Sequence, residues 1–126
     1  MSSPIGVDPR PEVRRTADGD WVVVGRRCRA CGVTVAYSWP RCPACGSEVE
    51  SAFFGPPGTV WSSTVVRIAV PGHVPPYSLA YVDLDDGPRV LAHVAGGSRD
   101  EPVSIGGRVR LTEPSRDGDL QVVVGW

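Results

Sequence analysis

The chain has 126 residues, 41% hydrophobic and 21% charged, with a formal net charge of −1, which describes an ordinary soluble globular protein with room for one domain or two small ones. No stretch approaches the ~20 apolar residues of a membrane-spanning helix, and the start MSSPIGVDPRPEVRR lacks an apolar signal-peptide core, so the expectation is a cytoplasmic protein with no membrane partner. All 13 basic side chains are arginine; residues 1–46 hold seven of them against four acids, and residues 47–126 six against ten, a balance that argues against the basic footprint of a nucleic-acid binder.

Residues 1–18 carry three prolines, several charges and no apolar periodicity, so they read as a flexible or extended N-terminal arm. Residues 19–50 hold all four cysteines. GDWVVVG (19–25) is a short β-rich run leading into Cys28-x-x-Cys31, and VTVAY (33–37) fits the second strand of a small hairpin before Cys42-x-x-Cys45. In a reducing cytosol paired cysteines are metal ligands rather than disulfides. A tetrahedral ion needs four thiolates at about 2.3 Å, and each C-x-x-C turn delivers two of them. Gly32 and Gly46 follow the pairs where the chain must turn sharply around the metal, and Pro43 pre-shapes the second loop.

Competing cysteine chemistries lack their companions. A thioredoxin-type site is a single pair in a βαβ unit; a zinc deaminase needs a His-x-Glu triplet that this chain does not contain; a catalytic zinc keeps an open position that four cysteines close. The reading is one structural zinc on Cys28, Cys31, Cys42 and Cys45. S₄ geometry does not separate zinc from iron, so that alternative stays open at this point. A module of some 30 residues cannot bury enough surface to hold itself together, and the metal supplies its folding energy.

Residues 51–126 read as a barrel. Five apolar β-rich runs follow Pro56-Pro57-Gly58: 59–70, 77–84, 89–95, 107–113 and 119–125, with hairpin turns at Asp86-Gly87-Pro88 and Asp117-Gly118. In the second run Ala80, Val82 and Leu84 share one face and Tyr77, Leu79 and Tyr81 the other. No run of ten or more residues has helical periodicity. The pattern is that of a five-stranded OB-fold barrel, although an SH3-like barrel or a small sandwich would space its strands similarly.

No nucleophile elbow, phosphate-binding loop, H-E-x-x-H or dinucleotide fingerprint is present, so a non-enzyme is expected. His93 alternates with apolar residues as a structural strand histidine would. His73, in the proline-laden loop PGHVPPY (71–77), reads equally as a binding contact or a turn residue. Asp83, Asp85 and Asp86 read as solvated charges at a hairpin tip, and Arg108 and Arg110 as barrel surface.

The stretches GTVWSSTVVR (58–67), PGHVPPYSLAYVDLDDGPRVLAHV (71–94) and SIGGRVRL (104–111), preceded by C-x-x-C-G, W-P-R and C-P-A-C-G, resemble the zinc-ribbon/OB-fold family once catalogued as a domain of unknown function, number thirty-five. The resemblance spans about residues 20 to 125 and implies a mostly β protein, a small rubredoxin-like zinc ribbon followed by a five-stranded OB-fold barrel. It also implies an accessory role: such proteins accompany thiolases, acyltransferases, hydroxymethylglutaryl-CoA synthases and the retro-aldolases that shorten steroid side chains. There they bridge or stabilise the catalytic subunit and help hold or channel the acyl-CoA, a coenzyme A thioester. Members often carry helices before the ribbon, where this chain has a short Pro/Arg-rich stretch. The alternative is an OB-fold module for single-stranded nucleic acid, which would need aromatics on a basic groove. Partner and acyl-CoA contacts are expected at the ribbon–barrel junction, on Trp39, Arg41, Arg67, His73 and Tyr77. Aromatics and arginines dominate binding energy, prolines in 71–77 reduce the entropy lost on docking, and arginine meets phosphate with paired hydrogen bonds.

Overall fold

The computed structural model describes residues 10–96 and 100–124, and every regular element among them is a strand. The first sheet is built around β2 (Trp21–Cys28), whose β-branched WVVV run suits a buried strand. One edge of β2 pairs in turn with β1 (Glu12–Arg15) and β3 (Thr34–Val35); the other pairs with β4 (Val49–Phe54), all antiparallel. The remaining strands are β5 (Pro57–Val66), β6 (Tyr77–Leu84), β7 (Arg89–Val94), β8 (Arg108–Thr112) and β9 (Gln121–Val124). They close into a barrel in the order β5-β6-β7-β9-β8, with β7 and β9 parallel and every other pair antiparallel. Closure removes the exposed strand edges, which is how so short a set of strands protects its backbone hydrogen bonds.

The five expected barrel runs correspond to β5–β9, with shifts at their ends. The first run starts earlier, at Pro57, and stops at Val66, while the last begins at Gln121; Gly125 lies outside the described residues. Three differences concern the first sheet. Part of the expected arm, Glu12–Arg15, is a strand in register with Trp21–Val24, because β2 offers an edge that EVRR can pair with and Val13 packs against the core; residues 1–9 lie outside the described residues. The hairpin strand expected at 33–37 contracts to Thr34–Val35, since the chain turns away to form the knuckle. β4 runs across the boundary expected at residue 50, its six residues paired to β2 before the chain enters the barrel.

One core joins the two sheets. Val60, Ala80, Val82, Val90, Ala92, Val109, Leu111 and Val122 fill the barrel, and Val23, Ala36 and Phe54 extend the same cluster into the first sheet. Phe54 is the hinge of this packing. It is fully buried at the end of β4, and Gly25 and Gly87 lie so close to its ring that an added Cβ would approach it to 3.0 and 2.6 Å. Polar ties reinforce the joint: Arg27 Nη2 donates to the Asp86 carbonyl at 3.0 Å, and Arg110 pairs with Asp20. The hairpin turns fall where expected, with Asp86 at φ 54° and Gly118 at φ 89°.

Candidate metal centre and ribbon–barrel junction

The two C-x-x-C turns fold as matching knuckles. In the first, Gly32 N–H donates to the Cys28 carbonyl at 3.0 Å and Cys28 N–H to the Val33 carbonyl at 2.8 Å. In the second, Gly46 N–H donates to the Cys42 carbonyl and Cys42 N–H to the Ser47 carbonyl, both at 2.9 Å. Gly32 and Gly46 have φ of 78° and 77° with nothing within 4 Å of an added Cβ. Backbone conformation alone therefore demands glycine at both positions.

The four sulfurs come together, with Cys28 Sγ 3.6 Å from Cys45 Sγ and Cys31 Sγ 3.6 Å from Cys42 Sγ. A disulfide would bring two of them to about 2.05 Å, and none forms. Four thiolates about 2.3 Å from one tetrahedral ion are separated by about 3.8 Å, so the cluster already has the dimensions of an S₄ metal site. The first cysteine of each pair is buried and the second exposed. Their acidities diverge. The Ser47 hydroxyl and N–H, with Cys28, pull the Cys45 thiol down to about 6. At Cys31 the pull of the Val33 N–H is outweighed by the adjoining sulfurs of Cys28 and Cys42 and by burial, and its thiol is pushed up to about 12. Four thiols this close do not all ionise unless a cation shares their charge, and that is what an S₄ site provides.

The expected contact residues divide. Trp39 is exposed and lines a concavity of about 320 Å³ with Arg10, Glu12 and Tyr37. His73 and Tyr77 lie together, ring centroids 5.3 Å apart, on the barrel side of the junction. Arg41 is tied to its own knuckle through the Gly46 carbonyl at 3.3 Å, and Arg67 donates to the Asp100 carbonyl at 3.0 Å.

Sequence reading missed the residues that link these points. Arg10 and Tyr37 line both the Trp39 concavity and a second one of about 190 Å³ with Leu91, His93 and Asp119. Leu91 in turn borders a shallow groove with Tyr81 on the outer face of β6 and β7. Trp61, thrown outward at the register shift of β5 between Val60 and Ser62, is half exposed and meets Tyr81 edge-on at 6.1 Å. The Arg89 guanidinium lies 3.7 Å above the Trp61 ring and is held by Asp83 at 2.6 Å. An exposed aromatic and aliphatic band thus runs from Trp39 through Tyr37, Leu91 and Tyr81 to Trp61. Period-2 alternation did set Tyr81 on the face opposite Ala80, Val82 and Leu84, but only the barrel register aligns it with Leu91.

Asp83 and Asp85 are engaged in ion pairs, Asp85 with Arg108 at 2.7 Å, and that guanidinium holds the Asp85 carboxyl below its ordinary value. His93 differs: burial pushes its imidazole down, against the pull of Asp119. A further concavity, about 470 Å³, is lined largely by valines from the barrel strands, with Glu101 and Arg108 as its charged side chains. No nucleophile–base pair opens into it among the described residues.

The profile of the ChsH2 C-terminal OB-fold domain matches residues 48–112. A DUF35 domain-containing scaffold protein of Methanocaldococcus jannaschii is 29% identical over 107 residues, covering 78% of this chain and 75% of that protein. Among solved structures, a chain of the Ltp2–ChsH2(DUF35) aldolase is similar with a TM-score of 0.66 and 28% identity, over 82% of this chain and 84% of that one. A DUF35-family protein of unknown function from Sulfolobus solfataricus shares the fold, with a TM-score of 0.61 and 18% identity over 82% of this chain and 76% of its own.

Proposed function

This chain belongs to the DUF35 family of ChsH2-type OB-fold proteins, and on that footing we propose that it is a non-catalytic accessory subunit that binds and stabilises a thiolase-like enzyme acting on acyl-CoA thioesters. The observation that carries this reading is the likeness, over most of both chains, to a chain of the Ltp2–ChsH2(DUF35) aldolase. The exposed band from Trp39 to Trp61 supports it, since aromatic side chains of that kind anchor protein interfaces. In this reading Trp39, His73 and Tyr77 face the partner, and Arg41 and Arg67 meet coenzyme A phosphates by exchanging their present carbonyl acceptors for phosphate oxygens.

The cysteine cluster belongs to the same reading as a structural site. Cys28, Cys31, Cys42 and Cys45 hold one zinc ion, which stabilises the knuckles and, with four thiolates around it, offers no position for water or substrate. The subunit's contribution to chemistry is then made through the enzyme it supports.

Affinity purification of the full chain from its native host tests the proposal. A thiolase-superfamily subunit should come with it in near-stoichiometric amount, and the chain freed of it should not turn over acyl-CoA thioesters. Recovery of the chain without any such enzyme would overturn the reading. So would turnover by the isolated chain that a point substitution in it abolishes.

A further inference from the structure

Away from the cysteines, three segments distant in sequence bring a second set of metal-ligating groups together. β7 and β9 run parallel with His93 opposite Gln121, and the His93 N–H donates to the Leu120 carbonyl at 2.8 Å. That register brings Asp119, just before β9, alongside the His93 ring. The loop between β5 and β6 turns at Gly72, φ 85°, where the His73 N–H donates to the Val70 carbonyl at 3.2 Å. The turn lays His73 over His93, ring centroids 4.8 Å apart and nearly parallel. Both imidazoles point the same nitrogen at one carboxylate oxygen: His73 Nε2 is 3.0 Å and His93 Nε2 3.8 Å from Asp119 Oδ2.

We propose that His73, His93 and Asp119 form a second metal site, separate from the cysteine cluster, for a divalent transition ion of the zinc type. Two neutral imidazoles and a carboxylate are a donor set such ions accept. Nitrogen and oxygen ligands stand about 2.0–2.2 Å from zinc, so two of them on one tetrahedral ion are about 3.3–3.6 Å apart. The two nitrogen–oxygen separations lie within a few tenths of an ångström of that range. All three ligand atoms lie within 4.8 Å of one another, so the remaining pair needs to close by at most about 1.2–1.5 Å, a movement that rotation of the loop-borne His73 side chain supplies.

The surroundings orient the carboxylate. Arg10 Nη1 holds Asp119 Oδ1 at 3.1 Å, and Asp119 N–H donates to Ser115 Oγ at 2.9 Å, which leaves Oδ2 turned to the two rings. Such outer contacts fix ligand geometry in metal sites. The three side chains are 17–27% exposed, open enough for an ion to enter and buried enough to strengthen its attraction to the carboxylate. In the metal-free arrangement His73 Nε2–H donates to Asp119 Oδ2; the ion takes that place and the proton moves, through solvent, to Nδ1 of the same ring, which stays neutral. Because His93 and Asp119 belong to the barrel and His73 to the loop, binding also fastens residues 71–77 to the barrel.

The proposal does not depend on any partner enzyme, and the zinc-loaded full chain tests it. Protein carrying one zinc on its cysteines is desalted and titrated calorimetrically with zinc at about pH 7.5, where free imidazoles are neutral. One further saturable equivalent is expected, with a binding heat that changes little between buffers of different ionisation enthalpy, because no ligand gives up a net proton. His73→Gln and His93→Gln should each weaken that equivalent by more than about tenfold while keeping the cysteine-bound zinc and the β-sheet circular dichroism. Added zinc should raise the melting temperature of the wild type alone. Absence of a second equivalent in the wild type overturns the proposal, as does a second equivalent unchanged in both variants. Should His93→Gln fail to fold, His73→Gln, outside the regular strands, decides it alone.

Discussion

Gly25 in β2 and Gly32 in the first knuckle answer to different demands. Gly32 needs a left-handed backbone in open space, whereas an added Cβ on Gly25 would lie 2.0 Å from the Val35 carbonyl oxygen. Gly32→Ala should therefore cost about 1–2 kcal/mol, the penalty of the left-handed conformation for an ordinary residue. Gly25→Ala should cost about 3 kcal/mol or more, because backbone rather than a flexible side chain must move. Urea denaturation of the two variants checks the order; equal losses would mean that the β2–β3 approach is looser than described. At this scale the cysteines were legible, because C-x-x-C-G compresses two ligands and their turn into five consecutive residues. The His73, His93 and Asp119 cluster was not, since its members lie 20 and 26 positions apart in the sequence and meet only through the parallel β7–β9 pairing and the turn of the β5–β6 loop.

Among the elements, β4 decides how strongly the two sheets depend on each other. It pairs with β2 along six residues and ends in Phe54, whose ring is shared by both. Phe54→Ala should cost about 3–5 kcal/mol, as for other buried aromatics, and lower the stability of ribbon and barrel together rather than of one alone. Replacing one cysteine acts differently. The knuckles have little apolar burial of their own, while β2 and β4 stay paired beyond them and anchored by Val23 and Phe54. Cys45→Ser should abolish zinc retention and expose the Gly32 and Gly46 amides to hydrogen exchange, with amides of β6 and β7 remaining protected. Loss of protection throughout the barrel would show that the metal supports the whole fold.

The barrel strands were legible because alternation such as Tyr77–Leu84 survives in a half-buried sheet. β1 was not, because EVRR has no apolar pattern and owes its strand to the free edge of β2. β4 was hidden for a related reason. Its buried and exposed positions follow two neighbours, β2 on one side and the barrel end on the other, and the Pro56-Pro57-Gly58 punctuation suggested a boundary that the shared core bridges.

For the molecule as a whole, the question is which surface a partner would occupy. Residues 47–126 are net acidic, and the guanidiniums of Arg89 and Arg108 are matched by Asp83 and Asp85, so a polyanion finds little unbalanced charge on the barrel. What the surface does offer is the apolar band, with Trp61 and Tyr81 at 51% and 44% exposure at one end and Trp39 at 48% at the other. Arg89 and Asp83 hold the Trp61 ring in place before any partner arrives, which lowers the entropy lost on docking. Trp61→Ala and Tyr81→Ala should therefore each weaken binding of the co-purifying enzyme by about 1–3 kcal/mol, as Trp39→Ala and Tyr77→Ala should at the junction end. Trp39, Trp61 and Tyr81 are exposed rings and Tyr77 is half-buried against His73 and His93 outside the core cluster, so all four truncations should leave the fold and the cysteine-bound zinc in place. Surface plasmon resonance on the four variants distinguishes the two ends of the band. Losses confined to Trp39 and Tyr77 would limit the interface to the ribbon–barrel junction, losses confined to Trp61 and Tyr81 would move it to the outer barrel face, and wild-type affinity in all four would show that the partner does not use this band.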